Sequence, residues 1–389
     1  MLSLKSTLLL AASATATIFY AGVAESGGEF GAYSATGVNG TGLPGRFNVD
    51  YAFLNASTVP IWVKQNKINT FRVAFLLERM CPLEYGLGAR FNETYFSEFN
   101  DAIRAITSAG AYAILDPHNY MRYNDPSQQP GSGSIIGNTA DPAAATTAQF
   151  QAFWHELASR YIFNPNVIFG IMNEPHDMPT ELILANDQAA INGIRTAGAI
   201  QLIIAPGNGY TGGHSWNQST CAGCTPNTQV MNKLKDPLGN TAIDVHEYLD
   251  SDFSGTHQPC VQSFPANMYG LTQWLKANNL KAMVTEFGGD NNNYTDSSMC
   301  VEYLTEAVKY MNSNPEYIGW TAWAAGPFWG SYSPCCEDYG SYGSLEPGSV
   351  ASDGTPGMYY TVWKAIIQPL VPSALQRFGI SSIYGGIEF

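Results

Sequence analysis

The chain has few charged residues, and basic ones are especially scarce. Only 13% of its 389 residues are charged, against about 25% in an average soluble protein. Acidic residues outnumber basic residues by 32 to 18, which gives a formal net charge of −14 at pH 7. Because no cluster of lysines and arginines could neutralise a row of phosphates, nucleic acid and anionic membranes are poor partners. A neutral polymer is compatible with this charge.

Long apolar segments, repeats and linkers are missing as well. Beyond the N-terminus, no segment reaches the roughly 18 consecutive apolar residues of a membrane span, so no membrane association is expected. No sequence repeat recurs with a period of about 20–50 residues, which argues against solenoids and propellers. No Pro/Ser/Thr-rich linker divides the chain. The sequence therefore predicts one compact domain, and we expect a monomer.

The N-terminus has the pattern of a secretory signal peptide. Lys5 precedes an apolar run that begins at Leu8, and Ala14-Thr15-Ala16 is similar to a cleavage site. We therefore predict a signal peptide at residues 1–16 and a mature domain at residues 17–389. Sequons of the N-x-S/T type also favour a secreted, extracellular glycoprotein. They lie at Asn39, Asn55, Asn92, Asn217 and Asn293.

Seven cysteines in an exported chain predict disulfide bonds. Since seven is odd, at least one thiol stays free, unless the adjacent Cys335 and Cys336 form an unusual arrangement. Cys221 and Cys224 are separated by two residues, but no second cysteine or histidine pair follows at the spacing of a zinc site. A loop-closing disulfide is the favoured interpretation of this pair.

Eight short apolar segments alternate with helix-like stretches. Continuous apolar character is typical of strands buried on both faces, and the segments are 17–24, 70–75, 112–118, 167–173, 200–205, 243–249, 281–287 and 318–324. Apolar residues at helical spacing predict helices over 93–109, 148–161, 265–278 and 299–311. This alternation predicts an α/β fold of the closed (β/α)8 TIM-barrel type. An open doubly wound sheet is the alternative, but Gly27-Gly28 lacks the G-x-G-x-x-G spacing of its phosphate turn.

In such a barrel the active site lies at the carboxyl ends of the strands. Polar or aromatic residues recur at those ends, and they are Arg72, His118, Asn119, Asn173, Glu174, His246, Tyr248, Glu286 and Trp323. Each of them alone is more often a solvated loop residue or an ordinary core residue. Their joint placement at matching strand ends is what predicts a site.

Glu174 and Glu286 are the two glutamates of this set. Cleavage of a glycosidic bond needs one carboxylic acid to protonate the leaving oxygen. It also needs an ionised carboxylate to attack the anomeric carbon or to activate water. Because Pro175 follows Glu174 and the residue before a proline avoids the helical region, an extended backbone is predicted at Glu174.

Longer motifs surround these residues in a fixed order between about residues 18 and 368. They are Glu25-Ser26-Gly27-Gly28-Glu29-Phe30-Gly31, Phe71-Arg72-Val73, Asp116-Pro117-His118-Asn119-Tyr120, Asn173-Glu174-Pro175-His176-Asp177-Met178, Val245-His246-Glu247-Tyr248-Leu249-Asp250, Thr285-Glu286-Phe287-Gly288 and Trp320-Thr321-Ala322-Trp323-Ala324-Ala325-Gly326-Pro327. With these motifs the sequence resembles glycoside hydrolase family 5, and more narrowly its fungal endo-β-1,4-glucanases. The resemblance implies a retaining enzyme that cuts internal β-1,4-glucosidic bonds of cellulose or mixed-linkage β-glucan. It also implies that the reaction uses no metal and no organic cofactor.

The resemblance assigns roles to the two glutamates and their neighbours. Glu174 would be the general acid and then the base, Glu286 the nucleophile, and Asn173 a hydrogen-bond partner of the sugar 2-hydroxyl. Arg72 and Tyr248 would orient Glu286 and keep it ionised. An adjacent arginine lowers the pKa of a carboxyl group, and a retaining enzyme should hold its two carboxyl groups about 5–5.5 Å apart.

The remaining candidates would bind the sugar. His118, His246 and Asn119 would line the cleft, and Trp323 would be the stacking floor of the cleaved-sugar subsite. Three positions differ from the family pattern, in which relatives commonly carry asparagine at Ala24 and often tryptophan at Tyr210 and His214. Tyr210 and His214 affect the binding of sugars beyond the cleavage point.

Two further features follow from the resemblance. Cys260 and Cys300 are similar to a family disulfide pair that joins the loops after strands six and seven. The segment 333–338, which contains Cys335 and Cys336, is predicted to be an insertion that could form a wall of the cleft. Because no cellulose-binding module is visible, we expect better activity on soluble or amorphous glucan than on crystalline cellulose.

Other functions are compatible with parts of this pattern. A mannanase, xyloglucanase or β-1,3-glucanase could use the same barrel and acid pair, because specificity depends on loops and subsites. A non-catalytic carbohydrate-binding protein would not need both glutamates. A metal-dependent hydrolase using His118 and His246 is disfavoured, because these histidines lie on separate strands without an H-x-H pair.

Overall fold

The computed structural model describes residues 18–32, 42–127, 131–257, 259–289, 297–329, 343–350, 354–373 and 375. Several predictions fall outside these residues. They concern the signal peptide at 1–16, the sequons Asn39 and Asn293, and the segment 333–338 with Cys335 and Cys336.

Eight parallel strands close into a barrel, as the sequence predicts. In chain order they are β1 (Tyr20–Gly28), β2 (Thr70–Phe75), β3 (Tyr112–Pro117), β4 (Val167–Gly170), β5 (Ile203–Ala205), β6 (Thr241–His246), β7 (Ala282–Glu286) and β8 (Tyr317–Ala325). Each strand pairs with the next one along the chain, and β8 pairs with β1 to close the sheet. The chain therefore has the (β/α)8 fold, and the alternative of an open doubly wound sheet is wrong.

Helices surround the barrel. The α-helices are α1 (Leu77–Met80), α2 (Glu93–Ser108), α3 (Thr147–Ser159), α4 (Thr180–Thr196), α5 (Asn227–Val230), α6 (Phe264–Asn278) and α7 (Ser297–Ser313). Wider π-helical segments span Ile61–Gln65 and Tyr359–Ile367, and 3-10 turns span Met231–Lys233 and Gln368–Leu370. A two-residue ladder between Arg122–Tyr123 and Ser134–Ile135 lies in the connection from β3 to α3.

Helices α2, α3, α6 and α7 begin and end within two residues of their predicted bounds. The long helix α4 has no predicted counterpart. Its buried face mixes Asn186, Asp187 and Gly193 with Ile183, Ile191 and Ile194, so polar residues interrupt its apolar stripe. Among the strands, β4 ends at Gly170 rather than at Asn173, and the chain then turns into the active-site loop.

Apolar side chains form two separate layers. The larger layer packs between the strands and the surrounding helices, for example where Phe71 and Phe75 of β2 meet Phe99 of α2. The smaller layer fills the interior of the barrel near the amino ends of the strands. Its buried members are Tyr20, Ile114, Ile168, Leu202, Ile204, Ala242, Met283 and Ile318. This inner plug closes the lower end of the barrel, so that only the carboxyl end is open.

Among the described residues, two cysteine pairs are disulfide-bonded. The Cys260–Cys300 pair implied by the family resemblance is present, and it joins the loop after β6 to the first turns of α7. Cys221 and Cys224 form the other pair, in agreement with the favoured loop-closing disulfide. Among the described cysteines, Cys81 is free and buried. None of the helices in the described ranges is long and apolar enough to cross a membrane.

Candidate active site

Glu174 and Glu286 face each other at the open end of the barrel. Glu286 is the last residue of β7, and Glu174 follows β4 by four residues. A carboxylate oxygen of each residue lies within 4.8 Å of one from the other. The Glu286 side chain is buried, whereas 18% of the Glu174 side chain is exposed, and both line the main cleft.

The extended backbone predicted at Glu174 is wrong. Its φ is +41°, in the left-handed region that non-glycine residues rarely adopt. The chain must turn sharply there, because the Asn173 amide donates to the Pro117 carbonyl while the Pro175 carbonyl accepts from Tyr210. Unfavourable backbone conformations of this kind concentrate at functional sites.

Both oxygens of Glu286 are held by the neighbours that the sequence analysis proposed. Arg72 Nη1 lies 2.5 Å from Oε1, and the Tyr248 hydroxyl donates to Oε2 at 2.7 Å. A carboxylate fixed at both oxygens cannot rotate. The remaining electron pairs of the carboxylate therefore keep a constant orientation towards the cleft.

Arg72 also organises the adjacent polar groups. Its Nη2 donates to Asn173 Oδ1 at 2.6 Å and lies 3.1 Å from Asp116 Oδ1. The amide nitrogen of Asn173 lies 3.1 Å from His118 Nε2, while His118 Nδ1 lies 3.0 Å from Asp116 Oδ2. These contacts fix the amide orientation of Asn173, and they bring residues from β2, β3 and the β4 loop into one network.

Burial shifts the pKa values of both acids upward. The pKa of Glu174 is raised well above its usual range by burial and by the charge of Glu286. Burial also raises the pKa of Glu286, although Arg72, His118 and the Tyr248 hydrogen bond lower it in part. Arg72 lowers the pKa of Glu286 in the direction that the family resemblance implies, but desolvation outweighs the arginine and the net shift is upward. Glu174 has weaker compensation than Glu286, which favours Glu174 as the protonated acid of the pair.

His246 lies directly behind Glu174. Its Nδ1 is 2.7 Å from Glu174 Oε1, and its Nε2 is 3.0 Å from the Thr285 hydroxyl. Burial, with the positive charges of Arg72 and His118, holds the pKa of His246 well below its usual value. The imidazole is therefore neutral, and it carries a single ring proton.

Aromatic side chains form one wall of the cleft. Trp323 stacks on His118, with ring centroids 5.4 Å apart and an angle of 19° between the planes. Trp329 meets Trp323 edge-on at 5.3 Å, and Phe30 packs against Trp329. Trp329 was not among the sequence candidates, because it lies beyond the end of β8 in an irregular segment. Ala24 lies under this wall, in a small apolar cluster with Ala324 and Trp329.

Asn119 is the one candidate that lies outside both the cleft lining and the hydrogen-bond network around Glu286. It is fully buried, its Oδ1 accepts from the Leu77 amide, and its Nδ2 donates to Glu78 Oε2. Both ends of the side-chain amide are thus used to attach α1 to the β3 loop. Asn119 has a structural position and not a substrate-facing one.

Two further stacked pairs lie at the cleft. His176 stacks on Tyr210 with centroids 4.2 Å apart, and His214 stacks on Phe253 at 3.7 Å. Tyr210 and His214, the positions where the family often has tryptophan, both line the cleft. Their ring partners were not identified from the sequence. His176 belongs to the Asn-Glu-Pro-His motif, which could have indicated it, whereas Phe253 lies in a loop without any motif.

Two groups of side chains have ligand atoms close enough to surround a cation, within the part of the chain that the structure describes. The first is Glu174, His246 and Glu286. Its atoms already bind one another, and Arg72 adds a positive charge beside them, so this group functions as a hydrogen-bond network. The second is Asp250 with Asp252 and His257. The Asp250 carboxylate accepts backbone N–H groups from the turn at 255–257.

A closed parallel barrel with two facing carboxyl groups at its open end is the arrangement of glycoside hydrolases. Residues 26–328 match the cellulase family, glycosyl hydrolase family 5. The chain belongs to this family.

Relatives and solved structures agree with the family assignment. The chain is 62% identical to Endoglucanase 1 of Robillarda sp., over 97% of this chain and 96% of the relative. It is 36% identical to endo-beta-1,4-glucanase B of Aspergillus niger, over 84% of this chain and 92% of the relative. A crystal structure of an endo-beta-1,4-glucanase from Xanthomonas axonopodis pv. citri superposes with a TM-score of 0.75 at 30% identity, covering 91% of this chain and 99% of that one. Cel5A (EG2) from Hypocrea jecorina gives a TM-score of 0.68 at 29% identity, covering 87% and 96%.

Proposed function

We propose that the protein is a secreted, monomeric, retaining endo-β-1,4-glucanase that hydrolyses internal bonds of cellulose or mixed-linkage β-glucan. The name of the Robillarda relative and the coverage of nearly its whole length support the activity. Two disulfide pairs among the described residues are compatible with an exported protein. A neutral glucan also fits the strongly negative charge of the chain.

In the first step Glu286 attacks the anomeric carbon. The glycosidic C–O bond breaks with its electron pair moving to the leaving oxygen, and Glu174 supplies the proton to that oxygen. The products are a glycosyl ester of Glu286 and a shortened glucan. In the second step the Glu174 carboxylate takes a proton from water, the water oxygen attacks the anomeric carbon, and the ester bond to Glu286 breaks.

The separation of the two carboxyl groups carries this proposal. Inverting enzymes hold them about 6.5–9.5 Å apart to admit a water, and retaining enzymes about 5–5.5 Å apart. Here the nearest carboxylate oxygens lie within 4.8 Å. This limit is below the separation of inverting enzymes, so it favours direct attack by Glu286.

The neighbouring residues support the same division of roles. Arg72 and Tyr248 hold both oxygens of Glu286 in a fixed orientation. Asn173 has its side-chain oxygen fixed by Arg72 and its NH2 nitrogen 3.1 Å from His118 Nε2, which leaves the second N–H of the NH2 group for a sugar 2-hydroxyl. Trp323, supported by His118, offers an apolar face for a glucose ring.

The test compares wild type, Glu286→Gln and Glu302→Gln on carboxymethyl-cellulose, barley β-glucan and mannan. Glu302 is exposed on α7 and serves as a matched glutamate-to-glutamine control. We expect wild type and the control to cut the glucans internally, with the β-anomer formed first. We expect Glu286→Gln to be folded and to show no turnover.

Other outcomes have clear meanings. Cleavage of mannan alone would keep the mechanism and overturn the substrate. Formation of the α-anomer first would overturn retention. A folded wild-type protein that binds β-glucan without cleaving it would overturn the enzymatic function itself.

A further inference from the structure

A chain of hydrogen bonds continues from His246 into the barrel. Asp244 and His246 lie on β6, and Thr285 lies on the adjacent strand β7. His246 Nε2 is 3.0 Å from the Thr285 hydroxyl oxygen, and that hydroxyl donates to Asp244 Oδ1. All three side chains are at least 95% buried, so within this chain they must satisfy one another.

The directions of these bonds are fixed by the number of protons. A threonine hydroxyl has one proton, and Thr285 uses it towards Asp244. Towards His246 the hydroxyl oxygen can only accept, so the ring proton of the neutral imidazole sits on Nε2. Nδ1 is therefore a bare acceptor.

This bare nitrogen faces Glu174. Nδ1 lies 2.7 Å from Glu174 Oε1 and 3.4 Å from Glu286 Oε2. Two acceptors cannot approach to 2.7 Å without a proton between them, and the carboxyl group of Glu174 is the group that can supply it. We propose that Asp244 and Thr285 are positioning residues that hold His246 in the Nε2–H form, which keeps Glu174 protonated in the resting enzyme.

If the hydrogen bonds through Thr285 ran in the opposite direction, the carboxyl proton would lie on Asp244 and not on Glu174. His246 would then donate from Nδ1 to a charged Glu174. Burial raises the pKa of Asp244 to about 7, with Arg72 opposing. Burial and repulsion from Glu286 raise the pKa of Glu174 well above its usual range. The hydrogen bond that Thr285 donates to Asp244 and the 2.7 Å approach of Nδ1 to Glu174 Oε1 favour the proton at the Glu174 end.

Charged and titratable groups face Glu174 and His246 from several elements. They are Arg72 from β2, Asp116 and His118 from β3, Asp244 from β6, Glu286 from β7 and Tyr210 from the loop after β5. Replacing the neutral Thr285 leaves all of these charges in place. A change in the protonation of Glu174 would then report the hydrogen-bond chain and not a lost charge.

The test uses Thr285→Val, with Thr285→Ser as the conservative variant. This inference rests on the proposed role of Glu174 as the acid. Valine cannot accept from Nε2, so His246 can move its proton to Nδ1 and stabilise the Glu174 carboxylate. We expect the basic limb of the pH profile of kcat/KM on barley β-glucan to move down by about one pH unit, which is tenfold at a fixed pH on that limb. Thr285→Ser should keep the wild-type profile.

A second substrate separates the loss of proton donation by Glu174 from other effects of the substitution. The leaving group of 2,4-dinitrophenyl β-cellobioside departs without a proton, so its kcat/KM should be nearly unchanged in Thr285→Val above the pKa of Glu286. If Thr285→Val does not fold, Thr285→Ala replaces it. Alanine also lacks the hydroxyl and leaves every charge in place, and the same shift is expected.

Three results would overturn the inference. They are an unmoved basic limb in a folded Thr285→Val or Thr285→Ala variant, an equal shift in Thr285→Ser, and equal losses on both substrates. Failure of the proposed function looks different. In that case Glu174→Ala would itself lose activity equally on both substrates, and added azide would not restore turnover of the dinitrophenyl substrate.

Discussion

The two halves of the barrel interior are built by the same strands but have opposite chemistry. Along β3 the inward residues change from Ile114 to Asp116, and along β6 from Ala242 to Asp244. The amino-end half is a dry apolar plug. The carboxyl-end half is a network of carboxyl groups and imidazoles around the single guanidinium of Arg72.

The difference shows where stability and function come from. Dispersion and apolar burial stabilise the lower half, and they do not depend on pH. The upper half holds more carboxyl groups than cations in a buried space. Its charges cost free energy unless they are paired, and the upward shifts in pKa at Glu174 and Glu286 are a direct consequence of this. The apolar burial in the lower half therefore offsets the free-energy cost of the buried charges in the upper half.

Arg72→Met should have the largest effect, because it disrupts the polar upper half of the barrel. The substitution removes the one cation between Asp116 and Glu286, both of which it contacts. Breaking a buried ion network typically costs about 3–5 kcal/mol, and we expect a loss of that size in the free energy of unfolding from urea titration at pH 7. Activity on β-glucan should disappear, since Glu286 loses its orientation.

The matched control is Arg104→Met. Arg104 is 71% exposed and lies 4.0 Å from Asp101, so we expect a change within about 0.5 kcal/mol. Equal effects of the two substitutions would show that the upper network is not the source of the cost.

Much of this arrangement can be predicted from the sequence, because strand ends are marked by a change from apolar to polar residues. The eight strands, four helices and both glutamates follow from periodicity and motifs. The structure places Asn119 away from the cleft, and the two-residue period of a strand explains why: Asp116 and His118 point inward, so their neighbour Asn119 points outward.

Other features depend on contacts between distant segments. Helix α4 escapes prediction because Asn186 and Asp187 lie on its buried face. The stacking of His214 on Phe253 joins loops after β5 and β6, and no local pattern encodes the meeting of two loops. The sign of the Glu286 pKa shift also depends on burial depth, which the sequence does not give.

Ile204→Ala tests the lower half. Ile204 is fully buried in the inner plug, and truncation of a buried isoleucine costs about 2–5 kcal/mol because it leaves a cavity. We expect a loss in this range from urea titration, with kcat/KM per folded molecule unchanged. Ile200→Ala, four residues earlier and 51% exposed, should change stability by less than about 0.5 kcal/mol. A large drop in kcat/KM for Ile204→Ala would mean that the two halves are coupled and not independent.

Glu346→Gln gives the smallest expected effect and tests the cost of buried acids beside the cleft. Burial raises the pKa of Glu346 to about 7, and hydrogen bonds from Gly326 and Thr58 oppose this shift. The pKa of the neighbouring buried Glu25 is raised by burial and by the charge of Glu346. A raised pKa in the fold means that the stabilising contribution of the protonated group is complete below about pH 4.5 and is lost as pH rises through about 7. Glutamine stays neutral, so the variant should match wild type at pH 4.5 and exceed its melting temperature by about 2 °C or more at pH 8. The exposed Glu302→Gln should show no such dependence, and an equal difference for Glu346→Gln at both pH values would mean that the carboxyl group is not held neutral by the fold.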